Sequence, residues 1–387
     1  MRPWLRAGAA VLVVGWGANQ FSPLLIVYRD QEHLSPAVVT AIFGAYVVGL
    51  VPALFAGASV SDRLGRRRVM LPVLALSAAA SVILLSGAHS IGLLFAGRLA
   101  AGIASGAAFG PGSAWIKELS AGAGAGAGAR RAAMSLSAGF GGGPLVAGVL
   151  AQWLPAPAVT PYVVHVAVTA VVGVLVWRVP ETVRERDVPG TVRRRELRRA
   201  LATREFRWRI APSAPLIFGA ATTSFAIMPA LLPVPGAPVA AGGAIAGLTL
   251  GTGVLVQPLA RVLERKRAGS VLTVGLVVVV GGLVLAALAA AVQLVILVVP
   301  TAILLGAGYG MLLVGGLSGI EALAEADDLA TATAVFYCFA YAGFAVPYLF
   351  TAVNHVVPGS VVLVIAAAAV AVLAAVTTVS ARSAGPA

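Results

Sequence analysis

The chain is built from long runs that are apolar on every face, such as VLTVGLVVVVGGLVLAALAAAV from Val271, separated by short polar breaks. A helix of about 20 such residues crosses the roughly 30 Å hydrocarbon core of a bilayer. Twelve segments qualify, near 7–28, 37–60, 69–87, 91–114, 132–154, 162–179, 210–232, 240–260, 270–291, 293–317, 330–353 and 359–380. A membrane β-barrel would instead read as alternating segments of about ten residues, and a run apolar on all faces satisfies its backbone in lipid only as a helix. The pattern therefore predicts an all-α polytopic membrane protein of twelve transmembrane helices. The first run follows Arg2 and Arg6 like a signal peptide, but GWGANQFSPLLIVYRD carries it to full spanning length without a small-residue cleavage site.

Composition supports this reading, with 59% hydrophobic residues, 11% charged residues and a mean hydropathy of +0.97. The net charge of +13 raises the possibility of nucleic-acid binding, which the placement of the charges argues against. With the N-terminus inside, 25 of the 27 Lys and Arg fall on the cytoplasmic side, leaving Arg29 outside and Arg98 within a span. That asymmetry sets orientation, and it predicts a multi-pass protein of the cell (inner) membrane with both termini cytoplasmic. Its basic partners are then anionic lipid headgroups, not nucleic acid. Cys338 is the single cysteine, so neither an intrachain disulfide nor a Cys-based metal cluster is expected. No metal site and no cofactor are predicted.

The longest polar stretch, 180–209, is a basic linker between an N-terminal six-helix bundle (1–179) and a C-terminal one (210–387). Three weak echoes between the halves point to duplication. ASVSDRLGR (58–66) parallels GVLVQPLAR (253–261), making Gly253, Gln257 and Arg261 a second-half repeat of the first motif. AGFGGGP (138–144) parallels AGFAVP (342–347), and the spacing of Gly102 and Gly106 recurs at Gly306 and Gly310. Two pseudo-symmetric six-helix bundles are an architecture used by alternating-access transporters.

SDRLGRRR after the second span resembles motif A of the major facilitator superfamily, through Asp62, Arg63, Gly65, Arg66 and Arg67, with Ala58 where the family has its first glycine. GRLAAGIASG resembles motif B of the fourth helix through Arg98, Gly102 and Gly106. GFGGGPLVAG resembles motif C of proton-coupled antiporters through Gly139, Gly143, Pro144 and Gly148, with Ala147 in place of one glycine. PET at 180–182 matches the end of the sixth helix. The resemblance covers essentially the whole chain. It implies the major facilitator fold and a drug/proton antiporter type of activity.

Several residues are candidates for mechanism. Arg98 lies on the order of 10 Å deep at 1.5 Å per residue. A lone guanidinium there costs roughly 2.5–3.5 kcal/mol, so it should face a polar cavity or a partner, and Asn19 and Gln20 lie at a similar depth; the alternative is a structural arginine bonded to backbone carbonyls. On the inner side Asp62, Arg63, Arg66, Glu118, Arg131 and Glu181 are expected to converge into a gating network that favours one state. The eleventh helix carries Tyr337, Tyr341, Phe344 and Tyr348 at helical spacing. With Thr223, Tyr309, Asn19 and Gln20, Tyr337 and Tyr341 are candidates to line a substrate cavity suited to apolar or cationic aromatic molecules.

No carboxylate falls mid-membrane, so proton exchange would need Asp30, Glu118, a histidine or water near Arg98. His165 is the best placed histidine, although an interfacial structural role is the simpler expectation. The leading expectation is a monomeric secondary transporter exporting a small hydrophobic or cationic molecule by alternating access, with protons as coupling ion. The alternatives are an importer or facilitator of a small metabolite and a non-transporting membrane sensor. An intramembrane prenyl-type transferase would need paired aspartate-rich sites, whereas Asp327 and Asp328 form a single pair, so no enzyme is expected.

Overall fold

The computed structural model describes residues 2–87, 90–124, 126–183, 201–324 and 329–383. Twelve helices are long and apolar enough to cross a membrane. They are α1 (Pro3–Asp30), α2 (Pro36–Leu64), α3 (Arg66–Ser86), α4 (Ile91–Glu118), α5 (Ala127–Trp153) and α6 (Thr160–Trp177), followed by α7 (Phe206–Leu231), α8 (Pro238–Lys266), α9 (Ser270–Val292), α10 (Val295–Leu323), α11 (Thr331–Asn354) and α12 (Gly359–Thr378). The described residues contain no strand. The fold is that of an integral, multi-pass, all-helical membrane protein. Most of the 180–209 linker, including Glu185, Asp187 and Glu196, lies outside the described residues, as do His89, Glu325, Asp327 and Asp328.

Two compact units divide the chain. One holds α1–α6 and the first turns of α8 (237–247). The other holds α7, the rest of α8 from Leu248, and α9–α12. The start of α8 belongs with the first unit because small residues let it reach the backbone of α5. A methyl group on Gly243 would lie 2.4 Å from the Pro144 carbonyl oxygen, and one on Gly148 would lie 2.8 Å from that of Val239. The Gln152 side-chain oxygen also accepts from the N–H groups of Val239 (2.9 Å) and Ala240 (3.3 Å), capping the helix.

Within the first unit α1 is broken at Gln20, and Pro23 explains the break. Proline has no N–H to offer the carbonyl four residues back, which is that of Asn19. Ser22 Oγ supplies the missing donor to that oxygen at 2.9 Å. In the second unit α7 contains a π-helical turn over Thr223–Ile227, just before Pro229, and α11 tightens to a 3-10 turn over Ala342–Ala345. Irregular turns of this kind mark where helices bend.

Two of the three echoes between the halves of the sequence correspond to matching packing contacts in the two units. A methyl on Gly102 of α4 would sit 2.0 Å from the Tyr46 oxygen of α2, and one on Gly310 of α10 would sit 2.0 Å from the Gly253 oxygen of α8. Gly106 and Gly306 repeat the contact, each 2.3 Å from a carbonyl oxygen, that of Leu50 and that of Thr249. Gly139 of α5 meets the Leu12 oxygen of α1, and Gly343 of α11 meets the Pro215 oxygen of α7, both at 2.2 Å. Small residues are what allow helices in lipid to approach this closely.

Candidate functional site

Gly65 turns the chain between α2 and α3 with φ +105° and ψ 152°, a conformation that only glycine adopts without strain. A side chain there would also strike Glu181, since its Cβ would lie 2.5 Å from one carboxylate oxygen. The space is used. The Glu181 carboxylate accepts from the first N–H groups of α3, those of Arg66 (2.7 Å) and Arg67 (3.0 Å), where the helix dipole favours negative charge. Burial pushes the Glu181 carboxyl up, but the N–H groups of Arg66, Val183, Thr182 and Arg67 outweigh it and hold the group below its ordinary value.

The Arg66 guanidinium joins the remaining parts of the cluster. It pairs with Glu118 (3.0 Å) and Asp62 (2.5 Å) and donates to Ser61 Oγ at 3.2 Å. Thr182 Oγ1 donates to Glu118, Trp115 Nε1 to the Pro180 carbonyl (3.1 Å), and Arg67 to the carbonyls of Trp177 and Val179 (both 3.4 Å). Motif A, the end of α4 and the PET segment are thus tied together. Two expected members are not. Arg63 is exposed and outside the cluster, and the Arg131 guanidinium stacks on Trp4, 4.2 Å from the ring centroid. Ala58 crowds nothing, because even a methyl on the facing Gly110 would be 3.8 Å away. The tight contact is one residue earlier, where a methyl on Gly57 would lie 2.8 Å from Ala107 Cα.

Arg98 does not line an open polar cavity. It is 0% exposed, and it donates to the carbonyls of Ala18 (3.0 Å), beside the α1 break, and Phe43 (3.1 Å). Its guanidinium lies 4.8 Å from the ring centroid of Phe21 and 4.7 Å from that of Tyr46. Cation–π contact with these rings replaces the missing counter-ion. The expected partners Asn19 and Gln20 turn elsewhere. Asn19 reaches the Gly15 oxygen at 3.5 Å, while Gln20 Nε2 donates to Ser81 Oγ at 3.0 Å.

Gln20 thereby joins a second buried chain. Ser81 Oγ is 2.8 Å from His165 Nδ1, and His165 Nε2 is 2.9 Å from the Val13 oxygen. His165 is 0% exposed, buried between helices of the bundle. Gly17 makes the room, since a methyl there would lie 2.9 Å from the imidazole. On α5, Gly139 and Gly143 face α1 while Pro144 and Gly148 face the start of α8, so the glycine-rich helix is clasped on two sides.

The sequence profile of the Major Facilitator Superfamily matches residues 7–348. The chain belongs to the major facilitator superfamily. It is therefore a membrane transporter, not an enzyme. Solved structures share the superfamily fold at low identity. A POT family transporter in complex with 5-aminolevulinic acid is 12% identical with a TM-score of 0.78, over 98% of this chain and 96% of that one. The nucleoside transporter NupG is 13% identical with a TM-score of 0.76, over 98% and 99%. A peptide transporter POT in complex with alafosfalin is 13% identical with a TM-score of 0.80, over 98% and 94%. No curated protein sequence matches the chain.

The second unit of this superfamily member carries an aromatic cluster on α7, α10 and α11. Phe218 stacks on Tyr341 at 4.7 Å, with Tyr309 at 5.8 Å and Phe344 at 5.1 Å, and Tyr337 lies 6.0 Å from Tyr341. Tyr348 is exposed and apart from it. Thr223 donates to the Gly219 oxygen of its own helix at 2.8 Å, while its neighbour Ser224 bonds Thr249 of α8 at 2.7 Å.

Gln257 and Arg261 face each other on α8 at 3.5 Å. The carboxylate that caps a helix in this unit, as Glu181 does in the first, is Glu264. It accepts from Gly269 N (2.6 Å) and Val271 N (3.2 Å) at the start of α9, while Arg209 links the Gly269 oxygen (3.0 Å) to Glu205 (2.8 Å). Glu264 and Arg209 were not singled out by the sequence motifs. The available signal is a carboxylate five residues before a glycine that ends a basic turn.

Proposed function

We propose that this transporter exports a small hydrophobic or cationic molecule across the cell (inner) membrane in exchange for protons, as a monomer with both termini cytoplasmic. The observation that carries the reading is the glycine face of α5, the segment that resembles motif C. Its residues meet α1 on one edge and α8 on the other with no side chain between, a contact suited to rocking as one piece. The aromatic group around Phe218 and Tyr341 supports an apolar or cationic cargo, recognised by stacking and by cation–π attraction. The ion pairs of Arg66 with Asp62 and Glu118 act as the gate, stabilising one arrangement of the inner end and so biasing the equilibrium between states. Clustered arginines on the inner side hold orientation through anionic headgroups.

A metabolite importer is the second reading, favoured by the peptide and nucleoside transporters among the structures of similar fold. Proteoliposomes with an imposed pH gradient separate the two. A panel of cationic dyes, nucleosides and dipeptides is offered, with internal pH followed by a trapped indicator. Accumulation of a dye against movement of protons supports exchange. Uptake of a nucleoside or dipeptide, with dyes indifferent to the gradient, supports import instead.

A further inference from the structure

Proton exchange requires a group that takes up and releases a proton inside the bundle, and the carboxylates do not supply one. Among the described residues every Asp and Glu lies in a connecting segment or an end turn of a helix. The buried chain of Gln20, Ser81 and His165 is left without a role in the motifs. Its geometry is directional. A carbonyl oxygen only accepts, so the His165 nitrogen at 2.9 Å from Val13 O, Nε2, carries hydrogen and Nδ1 accepts from the Ser81 hydroxyl. Ser81 Oγ in turn accepts from Gln20 Nε2. At the end of the chain Gln20 Oε1 is buried with no hydrogen-bond partner, although Gln20 is 0% exposed. A buried acceptor left unpaired is costly, and a native protein keeps one for a reason.

We propose that His165 is the proton-binding site of this transporter, and that Ser81 and Gln20 reverse their hydrogen bonds when the proton arrives. This rests on the exchange reading above. The proton comes from water on the open side and binds Nδ1, which then donates to Ser81 Oγ. The Ser81 hydroxyl hydrogen swings to Gln20, whose amide turns over to present Oε1. Nε2 continues to donate to Val13 O. No other bond forms or breaks, and release runs the same steps backwards. The idle oxygen of Gln20 in the neutral form is the acceptor that the charged form uses. Gln20 is also the residue at the break in α1, next to the Ala18 carbonyl that holds Arg98, so the proton is registered where the helix bends.

Nothing with a fixed charge touches the ring. From α1 it meets Val13 O, Gly17 and the edge of Trp16, whose centroid is 5.8 Å away. From α3 it meets Ser81, with Ser77 behind Gly17. On its own helix Thr169 Oγ1 is 3.4 Å away, and Tyr162, one turn earlier, is bonded to Tyr28 at 3.0 Å. α5 also packs on α6, and its charges, Arg130 and Arg131, lie at its opposite, inner end. Arg98, the charge within α4, is bonded to two carbonyls.

The test uses the full chain in proteoliposomes with ethidium as probe and an imposed pH gradient. Gradient-driven accumulation is expected for the wild type, for His33→Gln and for His355→Gln, and is expected to fall to the no-gradient level in His165→Gln. Equal accumulation in His165→Gln overturns the assignment of His165 and leaves the exchange reading standing. Absence of accumulation in the wild type overturns the exchange reading and this inference with it. Should His165→Gln fail to fold, a chain with His33, His89 and His355 all changed to Gln keeps the question open to measurement. In nanodiscs its single imidazole should pass, by nitrogen-15 NMR, from the Nε2–H tautomer to the doubly protonated form between about pH 8 and pH 5, the range in which histidine works as a switch. A neutral ring throughout that range overturns the proposal.

Discussion

Changing Gly65 to Ala tests how motif A is built. Two costs follow from the geometry. An alanine at φ +105° carries a strained backbone, worth about 1–3 kcal/mol. Its methyl would lie 2.5 Å from a Glu181 oxygen and 2.6 Å from the carboxyl carbon, so the carboxylate must leave. That removes the cap on α3, worth about 0.5–2 kcal/mol. The sum is roughly 2–5 kcal/mol, and at about 2–4 °C per kcal/mol for domains of 150–250 residues the unfolding midpoint should fall by roughly 4–20 °C. Thermal unfolding of the purified protein in detergent reads this directly. Gly173→Ala is the control, because no atom lies within 4 Å of a methyl there. The two costs separate in a double-mutant cycle, since Gly65→Ala in a Glu181→Ala background should retain the backbone strain and lose the clash, leaving a coupling of about 0.5–2 kcal/mol. Equal cost in both backgrounds would refute the claim that Gly65 exists to admit Glu181.

Other consequences are as definite. Arg98→Met removes two buried charge-assisted hydrogen bonds, those to the Ala18 and Phe43 carbonyls, which at about 1.5–3 kcal/mol each should lower stability by about 3–6 kcal/mol in the same unfolding assay. Gly102→Ala and Gly310→Ala each place a methyl 2.0 Å from a backbone oxygen, so both should sharply reduce the monodisperse fraction on size exclusion, whereas Gly142→Ala, which meets nothing within 4 Å, should not. The Glu181 carboxyl titrates below its ordinary value of 4.5, so its contribution is complete above that pH and is lost as pH falls through the lowered folded value. The wild type should therefore be more stable than Glu181→Gln at neutral pH, and the difference should vanish in acid, as read by unfolding midpoints against pH.

The spans and the duplication were legible because lipid imposes them on composition. A helix must be apolar for its length, and close helix contacts in both units require small residues at matching places, as at Gly102 with Gly306, Gly106 with Gly310 and Gly139 with Gly343. Partners were less legible. The sequence points Arg98 to a polar cavity or a partner such as Asn19 or Gln20, with backbone carbonyls as the alternative; carbonyls and aromatic faces hold it, and which carbonyls cannot be read, because a carbonyl has no residue identity. The clue was Pro23, which breaks α1 near Ala18. The partners of His165 were not legible from its place near the start of α6, because nothing in the local sequence announces that Gly17, on another helix, makes room for it. Motif A and the PET segment announced that Glu181 joins the cluster, but not that it caps α3 through backbone N–H groups, nor that Arg131 is occupied by Trp4. Contacts distant in sequence and made to backbone leave the faintest trace in a single chain.

The account stands most directly on the coupling of cargo to protons. Purified transporter in lightly buffered detergent solution, with a pH indicator present, is mixed with a saturating cationic dye. If cargo and proton exchange through one molecule, dye binding should release protons into solution, and the release should vanish when the protein is first made alkaline enough to be deprotonated. Dye binding that leaves the indicator unchanged at every pH would contradict it.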